Sequence, residues 1–182
     1  MPNLKWTFLL ALLLGFSGVL FIAWRSPTGA ASQAGIVKLS GDVWVAAQMT
    51  PVQLAALPRN GIRAVIDLRP DGEVSGQPSS SVMAKAAQAN GLGFGYVPVP
   101  HGDIPQASVE QLGHLLTESA RPILLYCHSG RRAARTWALA EASRQGGLEP
   151  AAILAAVRSS GQSADDLATE ITARVSARPV RS

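Results

Sequence analysis

The residues whose types and spacing could do chemistry are concentrated in one stretch, Tyr126-Cys127-His128-Ser129-Gly130-Arg131-Arg132. They follow a short apolar β-forming run, Ile123-Leu124-Leu125, and lead into the alanine-rich helical pattern Ala133-Ala134-Arg135-Thr136-Trp137. The pattern predicts a strand, a tight glycine-containing loop and a helix N-terminus. Amides in the first turn of a helix have no intrahelical acceptor and lie at the positive end of its dipole, so such a loop holds an anion or stabilises a thiolate. Cys127 stands where that thiolate would be, and it is the only cysteine in 182 residues. Alone it forms no internal disulfide, and with three histidines and no paired cysteine spacing no metal site and no cofactor are expected. Lone cysteines commonly pack as small apolar residues, but a strand end with a glycine and two arginines within five residues favours a reactive one. Arg132 is the candidate anion clamp, because a guanidinium fork matches two oxygens of a phosphate or thiosulfate. His128, Ser129, Gly130 and Arg131 complete the anion-binding loop, with Gly130 permitting close backbone approach and Arg131 facing solvent or steering anions. Two arginines at a helix start oppose the dipole, which an anion would relieve.

A loop of this kind needs strands and helices to hold it. The residues 43–46 read as a strand after the turn Ser40-Gly41-Asp42, and Thr50-Pro51-Val52-Gln53 reads as a capping box that starts a helix to about residue 57. A second strand is expected over 62–68, a helix over 82–89, a third strand over 94–99, and a helix opened by Ser108 with Gln111 and running to about 119. The strand before Cys127 follows, then helices over 132–144, 149–158 and, capped by Ser163, 164–175. Strands alternating with helices imply an α/β fold, with a central mostly parallel sheet of about four strands flanked by helices. Ligands of such sheets sit beyond the carboxyl ends of the strands, which puts Asp67, Arg69, His101, Asp103, Cys127 and Arg132 on one rim. Asp67 and Arg69 read as support for that rim, and Glu73 as a surface or turn residue.

Nineteen uncharged, mostly apolar residues run from Trp6 to Trp24. A helix of that length spans about 28 Å, the thickness of a bilayer core. Lys5 and Arg25 flank it and its two tryptophans suit the interfaces. Residues 1–25 therefore read as an uncleaved transmembrane anchor in the inner membrane, with the domain facing the periplasm or exterior, or else as a signal segment whose cleavage releases the domain. Residues 26–35 read as a linker, 36–176 as the folded domain and 177–182 as a frayed basic tail. Sixteen Lys and Arg against twelve Asp and Glu suit a small anionic substrate or a membrane surface. The basic residues are scattered and no aromatic platform interleaves them, which argues against nucleic acid.

The succession of Thr-Pro helix, Val65-Ile66-Asp67-Leu68-Arg69-Pro70-Asp71-Gly72-Glu73, Tyr96-Val97-Pro98-Val99-Pro100 and Leu125-Tyr126-Cys127-His128-Ser129-Gly130-Arg131-Arg132 resembles the phosphatase-like domain of bacterial beta-lactamase hydrolase-like proteins, within the protein tyrosine and dual-specificity phosphatase superfamily. The likeness spans about residues 42–175 and is most specific in 67–73 and 126–132. It implies a protein-tyrosine-phosphatase-like fold and hydrolysis of a phosphate ester by a Cys127 thiolate, with Arg132 as clamp. It also implies a general acid, for which Asp103 is the candidate because it precedes the helix before the cysteine strand, and His101 is the weaker one. Two departures stand beside the likeness. Four residues separate Cys127 from Arg132 where the superfamily usually has five, and Ala133 and Ala134 follow the arginine where a Ser or Thr usually stands. Four is a rhodanese-like spacing, so two alternatives stay open: a sulfurtransferase carrying a Cys127 persulfide from a sulfane sulfur donor, and a non-catalytic anion-binding domain.

Overall fold

The computed structural model describes residues 35–179. The candidate membrane segment 6–24 and almost all of the linker lie outside the described residues. Among those described, no helix is long and apolar enough to cross a membrane.

Five strands form one sheet in the order β1-β2-β5-β3-β4. β3 (Ala64–Asp67) and β5 (Ile123–Tyr126) are buried at every residue, as unbroken apolar runs are when both sheet faces are covered. β5 lies between β2 (Val43–Ala46) and β3, and β3 pairs with β4 (Gly93–Tyr96), all in parallel. The fifth strand, β1 (Val37–Ser40), is antiparallel to β2 across a tight turn in which Gly41 has φ +49. Sequence reasoning expected about four strands and missed β1. Only Leu39 of its four residues is buried, so this edge strand has no apolar alternation to betray it.

Side chains alternate between the two faces. Val43, Val45, Ile66, Leu125 and Cys127 point to the face covered by α3 (Gln106–Glu118), α4 (Arg131–Ser143), α5 (Pro150–Ser159) and α6 (Ala168–Ser176). Val65, Leu124 and Tyr126 point to the other, beneath α1 (Pro51–Leu54) and α2 (Ser80–Ala89). The capping box at α1 forms as the sequence indicates: the Thr50 hydroxyl accepts the Gln53 N–H at 3.3 Å, and the Gln53 side chain accepts the Thr50 N–H at 2.8 Å. That at α3 does not form. The helix begins earlier, at Gln106, and Ser108 and Gln111 instead donate to the carbonyls of Pro98 and Tyr96, both at 3.2 Å, which ties α3 to the chain leaving β4. Where a helix was expected directly from 164, a 3-10 turn (Asp165–Leu167) precedes α6.

Within the expected tail, Arg178 is not frayed. Its guanidinium donates to the carbonyls of Glu141, Ala142, Gly147 and Leu148 at 2.8–2.9 Å, and so closes the C-terminal end of α4 and the turn that follows. A cation at a helix C-terminus also meets the negative end of the dipole. Arg178→Ala is expected to cost about 2–3 kcal/mol, since it orphans several carbonyls at once, and to lower the thermal midpoint of the full chain by roughly 5–10 °C. An unchanged melting curve would remove Arg178 from the stability of this end of the domain.

Candidate active site

β5 ends at Tyr126, and Cys127 follows it into the loop with its side chain fully buried. Gly130 caps α4 at φ +88, and a Cβ there would lie 3.3 Å from the carbonyl oxygen of Ala46. Backbone conformation and close approach both require glycine at this position. Three of the loop's carbonyls are tied to neighbours. The His128 carbonyl accepts the Gln48 N–H at 3.2 Å, that of Ser129 accepts the Gln162 side-chain amide at 3.3 Å, and that of Gly130 accepts the Ala134 N–H at 3.0 Å. In a trans peptide the N–H points opposite to the carbonyl, so the amides of Ser129, Gly130 and Arg131 are aimed the other way, as an anion cradle needs.

Arg132 reaches back from the first turn of α4. Its Nη1 donates to Glu73 Oε1 at 2.5 Å and to the Val99 carbonyl at 2.6 Å, and its Nη2 donates to Glu73 Oε2 at 2.8 Å. A guanidinium has five N–H donors. Three are engaged, and the two that remain, Nε–H and the second Nη2–H, lie along one edge and form a fork for two anion oxygens. Cys127 is near enough to Arg132 to act on its charge. Burial works against the charge of Arg132, but the hydrogen bonds to Glu73 and the neighbouring Cys127 outweigh it and raise the Arg132 pKa. Four intervening residues are therefore enough to bring clamp and cysteine together.

Glu73 is not the surface residue that its place in a charged turn suggested. Arg69 Nε also donates to Glu73 Oε2 at 2.8 Å, and Arg69 Nη1 donates to Gln48 Oε1 at 2.8 Å. The side chains of Arg69, Glu73 and Arg132 are only 4%, 13% and 11% exposed. The hydrogen bonds from Arg132, against the opposing effect of burial and with further help from Arg69, hold the Glu73 carboxyl down at about 2. Two guanidiniums share this one carboxylate. His101 Nε2 lies 3.8 Å from Glu73 Oε1 on an otherwise exposed side chain.

Asp67 sits at the same strand ends but on the opposite face from Cys127, in register between Tyr96 and Tyr126. Its carboxylate accepts the Arg69 N–H at 2.8 Å, which shapes the turn that carries Arg69 and Glu73. Burial pushes its pKa up to about 6. The Tyr126 phenol beside it is pushed up by its own burial and by the Asp67 charge. Asp103 is exposed, and among the described residues its carboxylate accepts only the neighbouring Ile104 N–H, at 2.9 Å. The structure does not bring Asp103 into contact with Cys127 or Arg132, although the loop that carries it starts at Val99, which Arg132 holds. Ala133 and Ala134 are buried in the core and offer no hydroxyl, and the Thr136 hydroxyl is engaged with the Arg132 carbonyl at 2.8 Å. Three participants escaped the sequence reading: Glu73, Gln48 and Gln162. Nothing local marks any of the three, since residues 69–73 form a non-helical turn in which four-residue spacing does not predict a pair.

Comparison with known proteins gives a consistent result. Residues 36–144 match the family model described as "Beta-lactamase hydrolase-like protein, phosphatase-like domain". The beta-lactamase hydrolase-like protein of Agrobacterium fabrum is 30% identical over 106 residues, which are 58% of this chain and 25% of that protein. Its counterpart from Xylella fastidiosa is 31% identical over the same shares. The chain thus spans about a quarter of the length of the curated relatives it matches. Among solved structures, a candidate phosphatase of Neisseria meningitidis z2491 superposes with a TM-score of 0.66 at 25% identity, over 76% of this chain and 97% of that one. Kinase associated phosphatase, crystallised with its catalytic-site cysteine replaced by serine, gives 0.61 at 17% identity over 81% of this chain and 100% of that one, a likeness of fold.

Two predictions follow from the electrostatics. Glu73 has a folded-state pKa below its ordinary 4.5, so its contribution to stability is present above that value and fades as pH falls toward about 2. Glu73→Gln leaves two buried guanidiniums facing each other, and is expected to cost about 3 kcal/mol at neutral pH and to flatten that acid window in urea titrations. Asp67 has the opposite sign: its raised pKa means that stability declines as pH rises from 3.8 to about 6, and then stays level. Asp67→Asn keeps an acceptor for the Arg69 N–H and should stabilise the domain at pH 7 by roughly 1–3 kcal/mol, with no gain at pH 3. A loss at pH 7 would show that the carboxylate charge is itself required.

Proposed function

Because the chain belongs to the family of the beta-lactamase hydrolase-like protein phosphatase-like domain, we propose that it is a cysteine-dependent hydrolase of phosphate esters. The observation that carries this reading is the division of Arg132 into two edges: one is fixed on Glu73 and Val99, and the other is left as a fork beside Cys127. The cysteine replaced in kinase associated phosphatase is described as lying at its catalytic site. Cys127 occupies the strand-to-helix loop of a like fold, which supports assigning it the same part here.

In this reading the Cys127 thiolate attacks phosphorus, a sulfur–phosphorus bond forms and the ester phosphorus–oxygen bond breaks. The leaving oxygen takes a proton from Asp103 after the loop 100–105 moves toward the site. Arg132 and the amides of Ser129, Gly130 and Arg131 hold the non-bridging oxygens as negative charge builds on them. Water then attacks phosphorus while giving a proton to the Asp103 carboxylate, the sulfur–phosphorus bond breaks, and phosphate leaves with the thiolate and the acid both restored. Cys127 is fully buried while His101, His128, Ser129 and Arg131 on the rim are exposed, so substrate entry involves movement of rim side chains. The substrate class is a small phosphate ester. Segment 6–24 would hold the domain at the membrane, on its periplasmic or outer side, or release it there on cleavage.

Turnover of an aryl phosphate by the full chain in detergent is the test. Cys127→Ser should abolish it, and Asp103→Asn should slow it by ~100-fold if Asp103 is the acid. An unchanged rate in Asp103→Asn removes that residue from the mechanism. Cyanide-dependent thiocyanate formation from thiosulfate, without any phosphate release, would overturn the hydrolase reading in favour of sulfur transfer.

A further inference from the structure

The segment after the family-matched residues reaches the anion loop through Gln162. Gln162 follows α5 and donates its side-chain amide to the Ser129 carbonyl at 3.3 Å, and a Cβ on Gly130 would lie 3.4 Å from that same nitrogen. The connection that carries Gln162 is itself fastened to α4. Arg135 Nη1 donates to the Ser163 carbonyl at 3.3 Å, and its two terminal nitrogens bind the Asp166 carboxylate at 2.5 and 2.7 Å. Arg135 Nη1 and Nη2 thus lock the strap beside the loop, and hold Gln162 against it.

The contact matters because of what the Ser129–Gly130 peptide must do. Its N–H contributes to the anion cradle only while its carbonyl faces outward. Gly130, at φ +88, is the residue least able to enforce that orientation, since glycine populates both signs of φ with little penalty. A flip of this one peptide would aim a carbonyl dipole at the anion in place of an amide. The preceding carbonyl, that of His128, is held by the backbone N–H of Gln48, and the following one, that of Gly130, by the α4 backbone. Only the Ser129 carbonyl depends on a side chain.

We propose that Gln162 is a positioning residue, which locks the Ser129–Gly130 peptide in the orientation that binds the substrate's phosphoryl oxygens. This rests on the phosphatase reading of the same site. It extends the working active site beyond residue 144 into the C-terminal helical segment. Gln162 does not touch the reacting atoms; it acts through the loop, and its removal acts on anion binding before it acts on folding.

The experiment compares the full chain with Gln162→Met, a variant of similar shape that has neither charge nor donor, and with Gln162→Glu, which also lacks the donor. Affinity for inorganic phosphate is measured by calorimetry, alongside aryl phosphate kinetics and the melting midpoint. Loss of one hydrogen bond corresponds to a roughly fivefold change. Both variants are expected to bind phosphate about fivefold more weakly and to lose kcat/KM in proportion, while the melting midpoint without phosphate moves little and the rise that phosphate produces shrinks. Wild-type phosphate affinity in Gln162→Met overturns the proposal, whether or not Gln162→Glu is weakened, because charge alone then accounts for the latter. So does a loss of melting midpoint large enough to account for the weaker binding. If the unaltered chain neither binds phosphate nor turns over the ester, the phosphatase reading falls and this inference with it; if it does both and Gln162→Met matches it, the inference falls alone.

Discussion

One carboxylate shared by two nearly buried guanidiniums is the constraint on which the rest of this site depends. Burying two cations side by side is costly unless a counter-charge lies between them. Glu73 supplies it, and does so with a geometry that fixes Arg132 along one edge and leaves the other for a ligand. The second edge of Arg132 is left unengaged beside the start of α4. Arg132 is thereby held in position, so little of its side-chain entropy would be lost if an anion bound its free edge.

The sheet sets up this arrangement from a distance. Parallel pairing of β2, β5 and β3 brings three strand ends to one edge, and each contributes something different. β5 delivers Cys127 and the loop. β3 delivers Asp67, whose hydrogen bond to the Arg69 amide bends the chain so that Arg69 and Glu73 return toward α4. The end of β2 delivers the Ala46 carbonyl against which Gly130 packs and, through Gln48, bonds to both the His128 carbonyl and the Arg69 guanidinium. The side-chain alternation of strands places the Asp67 carboxyl and the Cys127 thiol on opposite faces, which separates the group that shapes the turn from the group that could react. Protonation of Asp67 therefore bears on the scaffold first.

Much of this was legible beforehand. The β5-to-α4 passage, the tight glycine turn within it and the three central parallel strands all follow from local patterns: apolar runs, a glycine at a turn, alanine-rich periodicity. Where the reading went astray, the missing information was not local. β1 buries one side chain of four and so carries no periodic signal. Ser108 and Gln111 have the spacing of a helix cap, yet both bond to the end of β4 instead, a choice made by the packing of α3. Arg178 lies in a basic tail by composition, and becomes a helix cap only because α6 returns the chain to the end of α4.

The amino-acid sequence by itself determined which residues could do chemistry and which elements would carry them, because helix starts, strand runs and glycine turns are properties of a few consecutive residues. The tertiary structure alone decided how those residues are wired. Glu73 lies 59 positions from Arg132 and Gln162 lies 33 from Ser129, and contacts over such distances form only when the sheet closes and the helices dock. The free edge of Arg132, the depth of Cys127 and the outward turn of the loop's carbonyls are all consequences of that closure. Residue types made the site possible; the geometry of burial gave each charge its partner.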